Sequence, residues 1–286
     1  MKNLYADVTN RIITALEQGT PPWVCPWQNG NTLPSNLVTG KPYRGINVLM
    51  LIIEAMSHSH TDHRWLTFKL ANELGTRIRK GEHGTPIVFY RLRECSNAIS
   101  DGVDVTEKRS IPLLKTYIVF NASQLERLPD RFALRPNSAW QPIEEAQQVL
   151  DKTGAVICHG GKRAFYRPSD DVIQLPLPAA FAQRTDYYAT ALHELCHWTG
   201  HPQRLNRAHG ARCDIEAYAY EELVAEIGAA FLCAHSGLPA RLEHASYIES
   251  WLEALRRDKR LIFVAAGAAQ KAADFVLGDA NAEVAA

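Results

Sequence analysis

Five consecutive residues, His193-Glu194-Leu195-Cys196-His197, carry the strongest chemical signal in the chain. On a helix, positions i and i+4 share a face, so the two imidazoles can turn toward one ion. Neutral imidazole nitrogens suit Zn²⁺ at about 2.0–2.1 Å, and zinc is the cofactor this pattern implies. Glu194 sits one residue round from His193, where its carboxylate can serve as the catalytic general base toward a water at the ion. Tyr187, Tyr188, Ala189, Ala191, Leu192, Leu195 and Trp198 surround the motif and imply a buried helix. Burying histidine and glutamate without partners is costly. Two solvated histidines on a surface helix are therefore the weaker alternative.

A third ligand has to come from elsewhere. The longer spacing H-E-x-x-H-x-x-G-x-x-H is half met: Gly200 is in place, but position 203 is Gln203, and His201 comes two residues early, ahead of Pro202. The better source is the mostly apolar segment that begins at Leu223. Glu222 and Glu226 lie four residues apart on one helical face at its start. The expected site uses His193, His197 and Glu222 as ligands, with Glu226 accepting the free ring N–H of a ligating histidine. The reverse assignment of the two glutamates stays open, as does His201, and Glu221 is expected to point into solvent. Three protein ligands leave one position open, the catalytic rather than the structural arrangement. Tyr166, Arg204 and Arg207 could polarise a carbonyl or bind a substrate terminus, but packing or ordinary salt bridges are the simpler role for each.

The scaffold for these residues reads as α+β in two parts. A length of 286 residues suggests two domains at about 150 each. Hydrophobic residues at 46% and charged residues at 22% exclude a disordered, collagenous or disulfide-dense chain. Six scattered cysteines without a C-x-x-C pair argue against a disulfide framework and a cysteine zinc site. Apolar runs such as 48–53 are far short of the ~20 residues of a membrane span, so no membrane partner is expected. The first residues hold no continuous apolar core of a secretory signal, which makes the cytoplasm the expected location.

Proline and lost periodicity mark a linker at 131–142, between a domain at 1–130 and another at 143–286. In the first, helices are expected over 5–18, 45–56 and 67–74, with Arg64-Trp65 opening the last, and strands over 86–92 and 113–120 flank a loop. The second reads as mainly helical: 143–153, a helix N-capped by Asp186 and running to about 199, then 215–236, 246–257 and 259–277, with short strands over 155–158, 164–166 and 172–175.

Charge divides along the same line. Residues 1–137 hold 17 Lys and Arg against 12 Asp and Glu; residues 138–286 hold 14 against 19. The basic part interleaves cations with aromatics: Trp23 and Trp27 among prolines, Tyr43-Arg44, Arg64-Trp65, and Arg79-Lys80 in a loop with two glycines. Aromatic faces stack bases and Lys or Arg neutralise phosphates, so single-stranded DNA is the expected partner. His58, His60 and His63 alternate with Ser59, Thr61 and Asp62 and read as a solvated loop rather than a metal tract.

At these residues the chain resembles a known family. Pro22-Trp23 with Pro26-Trp27, Tyr43-Arg44-Gly45-Ile46-Asn47, Arg64-Trp65-Leu66-Thr67, Leu74-Gly75 to His83-Gly84, and Val119-Phe120-Asn121 with Gln124 are similar to the N-terminal domain of ArdC antirestriction proteins, also found at the front of plasmid TraC-type primases. Ala164-Phe165-Tyr166, Asp171, Tyr187-Tyr188-Ala189-Thr190, the His193–His201 segment, Arg204-Leu205-Asn206-Arg207 and Glu221 to Glu226 resemble the zincin-like metallopeptidase domain that accompanies it. Cys196 departs from the small residue expected there. The resemblance implies a plasmid-borne protein that binds single-stranded DNA, enters the recipient cell with the transferred strand and protects it from host restriction. It places Trp23, Trp27, Tyr43, Arg44, Arg64, Trp65, Arg79 and Lys80 in the DNA-facing region, and His193, Glu194 and His197 at the zincin positions. A peptidase cleaving a host restriction enzyme or another protein is the alternative, and a metal that only staples the fold is a third reading.

Overall fold

The computed structural model describes residues 4–19, 22–23, 32–95, 109–132, 142–207, 215–239 and 245–279. The architecture is α+β, with the sheet-rich part first and a mainly helical part second. Among the described residues no helix is long and apolar enough to cross a membrane.

Helix α1 (Leu4–Glu17) buries Val8, Ile12, Ile13 and Leu16, the stripe expected at helical spacing. Helix α2 (Ile46–Ser57) is apolar on most sides and buried along nearly its whole length. The N-terminal sheet runs β1 (Ser35–Asn36), β2 (Arg64–Thr67), β4 (Arg109–Asn121), β3 (Thr85–Cys95) in spatial order. β1 is parallel to β2 and the other pairs are antiparallel, with Trp65 opposite Asn121 and Thr85 opposite Val119. Asn47 of α2 closes on the edge strand: its amide takes the Val88 N–H and donates to the Val88 carbonyl, both at 2.8 Å.

Two expectations need correction here. Arg64-Trp65 opens a strand, not a helix. Trp65 and Leu66 are both fully buried because β2 lies inside the sheet with cover on each face, and two-sided burial leaves no alternation to read. Helix α3 (Phe68–Glu73) begins only after Thr67, whose side chain caps it by accepting the Leu70 N–H. The hairpin strands also extend further toward the loop than periodicity suggested, to Cys95 and from Arg109.

The second part starts with α4 (Pro142–Thr153), followed by a small sheet of β5 (Val156–His159), β7 (Val172–Leu175) and β6 (Phe165–Arg167) in that spatial order. Helix α5 (Arg184–Thr199) packs beneath β6 and β7. It starts at Arg184 after Gln183, so Asp186 lies in its first turn rather than capping it. There a carboxylate still suits the positive end of the helix dipole. Helix α6 (Ile215–Ser236) is enclosed by α5, α7 (Ala245–Arg257) and α8 (Leu261–Leu277).

The two parts share one core. A single apolar cluster joins Ile12, Leu51 and Trp65 to Leu192, Leu223, Trp251 and Ala266. Trp23 meets Trp251 edge to face at 5.7 Å, and the Trp251 indole N–H donates to the Ala219 carbonyl of α6 at 3.1 Å. Thr9 donates to the Lys259 carbonyl at 2.7 Å, Gly45 N–H donates to Gln270 at 3.0 Å, and Arg44 pairs with Asp274 of α8.

Two predictions follow from this packing. Trp251 is 2% exposed, so Trp251→Ala should cost about 3–5 kcal/mol in urea denaturation, with both parts losing structure in the same transition. Burial pushes the Tyr43 phenol up to about 12 against an opposing bond with Asn36. An acid harder to ionise when folded stabilises fully below its unfolded value, ordinarily about 10, and that contribution is lost as pH rises. Tyr43→Phe should therefore lose less stability than the native chain between pH 10 and 12, read from urea midpoints.

Candidate metal centre

Helices α5 and α6 approach closely where Gly228 faces Cys196. A Cβ at position 228 would stand 2.8 Å from the Cys196 sulfur, so the absence of a side chain lets the helices meet. That approach sets Glu222 across from the two histidines one turn apart on α5. The Nε2 atoms of His193 and His197 are 3.2 Å apart, and the Glu222 carboxylate oxygens lie 3.6 Å from each. Ligands held at about 2.1 Å and tetrahedral angles stand about 3.4 Å from one another. The three donors therefore fit a single divalent ion. Their side chains are 5%, 13% and 9% exposed.

Among the described residues, His193, His197 and Glu222 are the one group of histidine, cysteine and acidic side chains that converges in this way. His58 instead pairs with Glu54 at 2.9 Å, and His60 meets the Ser123 hydroxyl at 3.0 Å. The His201 ring accepts the Gln203 N–H at 3.2 Å within its own turn.

The electrostatics favour a cation. Burial alone would lower the His197 imidazole, but the carboxylates of Glu221 and Glu222 outweigh it and lift its pKa to about 10, with the Glu194 charge adding to them. Burial would raise Glu222, yet the two histidines hold it well below the usual carboxylate range. Burial pushes Glu226 up to about 7, with His193 opposing and Glu222 adding to the rise. Glu194 and Glu226 are 7% and 1% exposed. Several carboxylates sharing a dry site with two imidazoles leave an excess of negative charge that a divalent ion neutralises.

Glu221 overturns its expectation. It is 4% exposed, and its Oε1 lies 3.3 Å from His197 Nδ1. Arg207 donates to both Glu221 oxygens, at 2.7 and 3.1 Å, and also to the Cys196 carbonyl at 2.7 Å and the Thr199 hydroxyl at 2.8 Å. Burial would raise Glu221, but His197 and Arg207 bring it down to about 2. The helical-face argument missed it because α6 is covered on several sides, so the buried arc takes in 221 as well as 222 and 226. Arg207 was the available signal: a cation close to a buried acidic helix. Arg204 is a brace as well, chelating Asp171 and lying 3.8 Å over the Trp198 ring, while the Tyr166 hydroxyl donates to Asp171 at 2.8 Å.

The residues expected to face DNA separate into two groups. Trp65 is fully enclosed and Trp23 is 4% exposed against Trp251, so neither ring offers a face to a base. Arg64 grips Asp62 at 2.7 and 2.9 Å and donates to the Phe132 carbonyl at 2.6 Å. Arg44 is held by Asp274, and Tyr43 is half-buried. Arg79 is half-exposed and pairs with Glu82 at 2.7 Å, and Lys80 is exposed. Trp27 lies outside the described residues. The sequence reading passed over Phe68, Tyr117 and Ile118, which are exposed.

Comparison with known proteins adds the family. Residues 2–120 match the N-terminal domain of anti-restriction factor ArdC, and residues 144–268 match a zincin-like metallopeptidase. The crystal structure of the antirestriction protein ArdC from the R388 plasmid, metal-free, aligns over 98% of both chains with a TM-score of 0.81 and 42% identity. The chain belongs to the ArdC antirestriction family. The Mn(II)-bound structure of the same ArdC protein aligns over 98% of this chain and 99% of that one, with a TM-score of 0.79 and 42% identity. A DNA primase TraC of Escherichia coli is 41% identical over 96% of the chain, which spans 27% of that primase's length. A protein y4eC of Sinorhizobium fredii is 37% identical, over 96% of the chain and 91% of its own length.

Because Glu221 orients a ligating imidazole, removing it should weaken metal binding without deleting a ligand. Glu221→Gln and Arg207→Ala should each lower divalent-ion affinity about 10- to 100-fold by calorimetry.

Proposed function

We propose that this chain binds single-stranded DNA and shields plasmid DNA arriving by conjugation from host restriction, acting in the cytoplasm and travelling to the recipient with the strand. The observation that carries the reading is the alignment over 98% of both chains with an antirestriction protein. The basic, aromatic segment at 1–130 acts as the DNA module, and 143–286 forms the metal-bearing module joined to it through 131–142.

His193, His197 and Glu222 would hold the ion. Two imidazoles and a carboxylate are a donor set suited to zinc, and the R388 protein's Mn(II)-bound structure makes manganese a second occupant to test. When bound, the ion supplies Lewis acidity at a position open to water or a substrate carbonyl. Glu194, buried beside the triad, is the general base that takes and returns a proton. Glu221, braced by Arg207, fixes the His197 ring. Glu226 is proposed to accept the ring N–H of a ligating histidine. The buried Glu194 next to an open three-ligand site also supports the second reading, a peptidase that cleaves a host restriction enzyme or other protein, with DNA binding for delivery.

One variant separates the two. Glu194→Ala should retain metal binding and lose any peptide hydrolysis. If DNA protection during conjugation persists in that variant, shielding by the DNA module is the function; if protection disappears with hydrolysis, the peptidase reading takes its place. The full chain should also bind single-stranded oligonucleotides with an affinity that falls steeply with salt.

A further inference from the structure

The DNA-binding reading needs an aromatic surface that bases can reach, and two of the tryptophans that suggested it, Trp23 and Trp65, are buried. The fold offers another. Phe68, at the start of α3, is 57% exposed, and Ile118 on β4 is 48% exposed. The partly buried Phe120 ring lies 6.5 Å from Phe68. Ile118 and Phe120 point to the same side of β4, being two residues apart. Both lie directly over Gly84: a Cβ there would stand 2.3 Å from the Ile118 side chain and 2.8 Å from Phe120. A side chain at position 84 would push into the apolar patch, so glycine keeps it open.

Gly84 also ends the basic loop, which makes that loop continuous with the patch. Glu82 is already bonded to Arg79 and Gln124. Arg77 and Lys80 are exposed and form no ion pair among the described residues. Rings on one side and uncommitted cations alongside match a polyanion that carries flat bases.

We propose that single-stranded DNA lies on this outer face of the N-terminal sheet, with bases over Phe68, Ile118 and Phe120 and phosphates on Arg77 and Lys80. The assignment rests on the DNA-binding reading above. An apolar surface for a protein partner is the competing occupant. It requires bulk at position 68 but no ring.

The test uses the full chain and a fluorescein-labelled oligothymidylate, followed by anisotropy across a series of salt concentrations. Phe68→Ala should weaken binding roughly 5- to 150-fold, the range for losing one stacked base. Phe68→Leu, which keeps apolar bulk and removes the ring, should weaken it as well. Arg77→Ala and Lys80→Ala should each reduce the slope of log affinity against log salt by about 0.7. Val264→Ala, exposed on α8, should match the native chain. If the native chain binds and the Phe68 and Lys80 variants bind equally well, this surface is wrong while DNA binding stands. Full affinity in Phe68→Leu alone rejects base stacking in favour of an apolar contact. A native chain that does not bind the oligonucleotide overturns both the surface and the reading beneath it.

Discussion

The close approach of α5 and α6 at Cys196 and Gly228 is the constraint on which the metal centre depends. It brings a carboxylate from one helix within 3.6 Å of two imidazoles on the other and leaves the group mostly buried. In such a setting charge has to be matched locally. Arg207 balances Glu221, and Glu221 in turn holds His197. Glu222, Glu194 and Glu226 remain crowded around two histidines, an arrangement that a divalent cation relieves. Buried charges of one sign are expensive unless a partner arrives, so the crowding of carboxylates there favours a cation.

The same packing joins the two parts of the chain around one core. α6 carries Glu222, and Trp251 donates to its Ala219 carbonyl while meeting Trp23 from the first part. α8 packs on α6 and takes Arg44 and Gly45 through Asp274 and Gln270. Residues that look like a nucleic-acid surface in sequence, Trp23 and Arg44 among them, thus join the sheet-rich part to the helices that shape the metal site. The chain spans 27% and 20% of the two TraC primases it matches but nearly all of the R388 ArdC protein. The shared core is consistent with both parts occurring together in either setting.

Legibility differed by the range of the interactions involved. The metal ligands were readable because two of them sit one helical turn apart, and the third belongs to an acidic pair entering an apolar helix. Local periodicity is enough for that. Glu221 was misplaced because a helix covered on several sides has a buried arc too wide for a two-faced pattern to delimit. Trp65 was misassigned for the same physical reason in a strand: β2 is buried on both faces, so alternation vanishes. Interleaved cations and aromatics signalled a basic surface, but composition does not say which rings face inward.

The sequence by itself determined the chemistry of the donor set, the helices that carry it, the α+β division and the resemblance that names the family, since each is encoded in residue type and short spacing. Only the tertiary structure decided that Arg207 and Glu221 brace His197, that Trp23, Arg44 and Trp65 serve the core, and that Phe68 and Ile118 are left to solvent. Those outcomes turn on burial and on partners distant in the chain. Such pairings exist only after helices and strands have packed, because a side chain's role follows from what covers it.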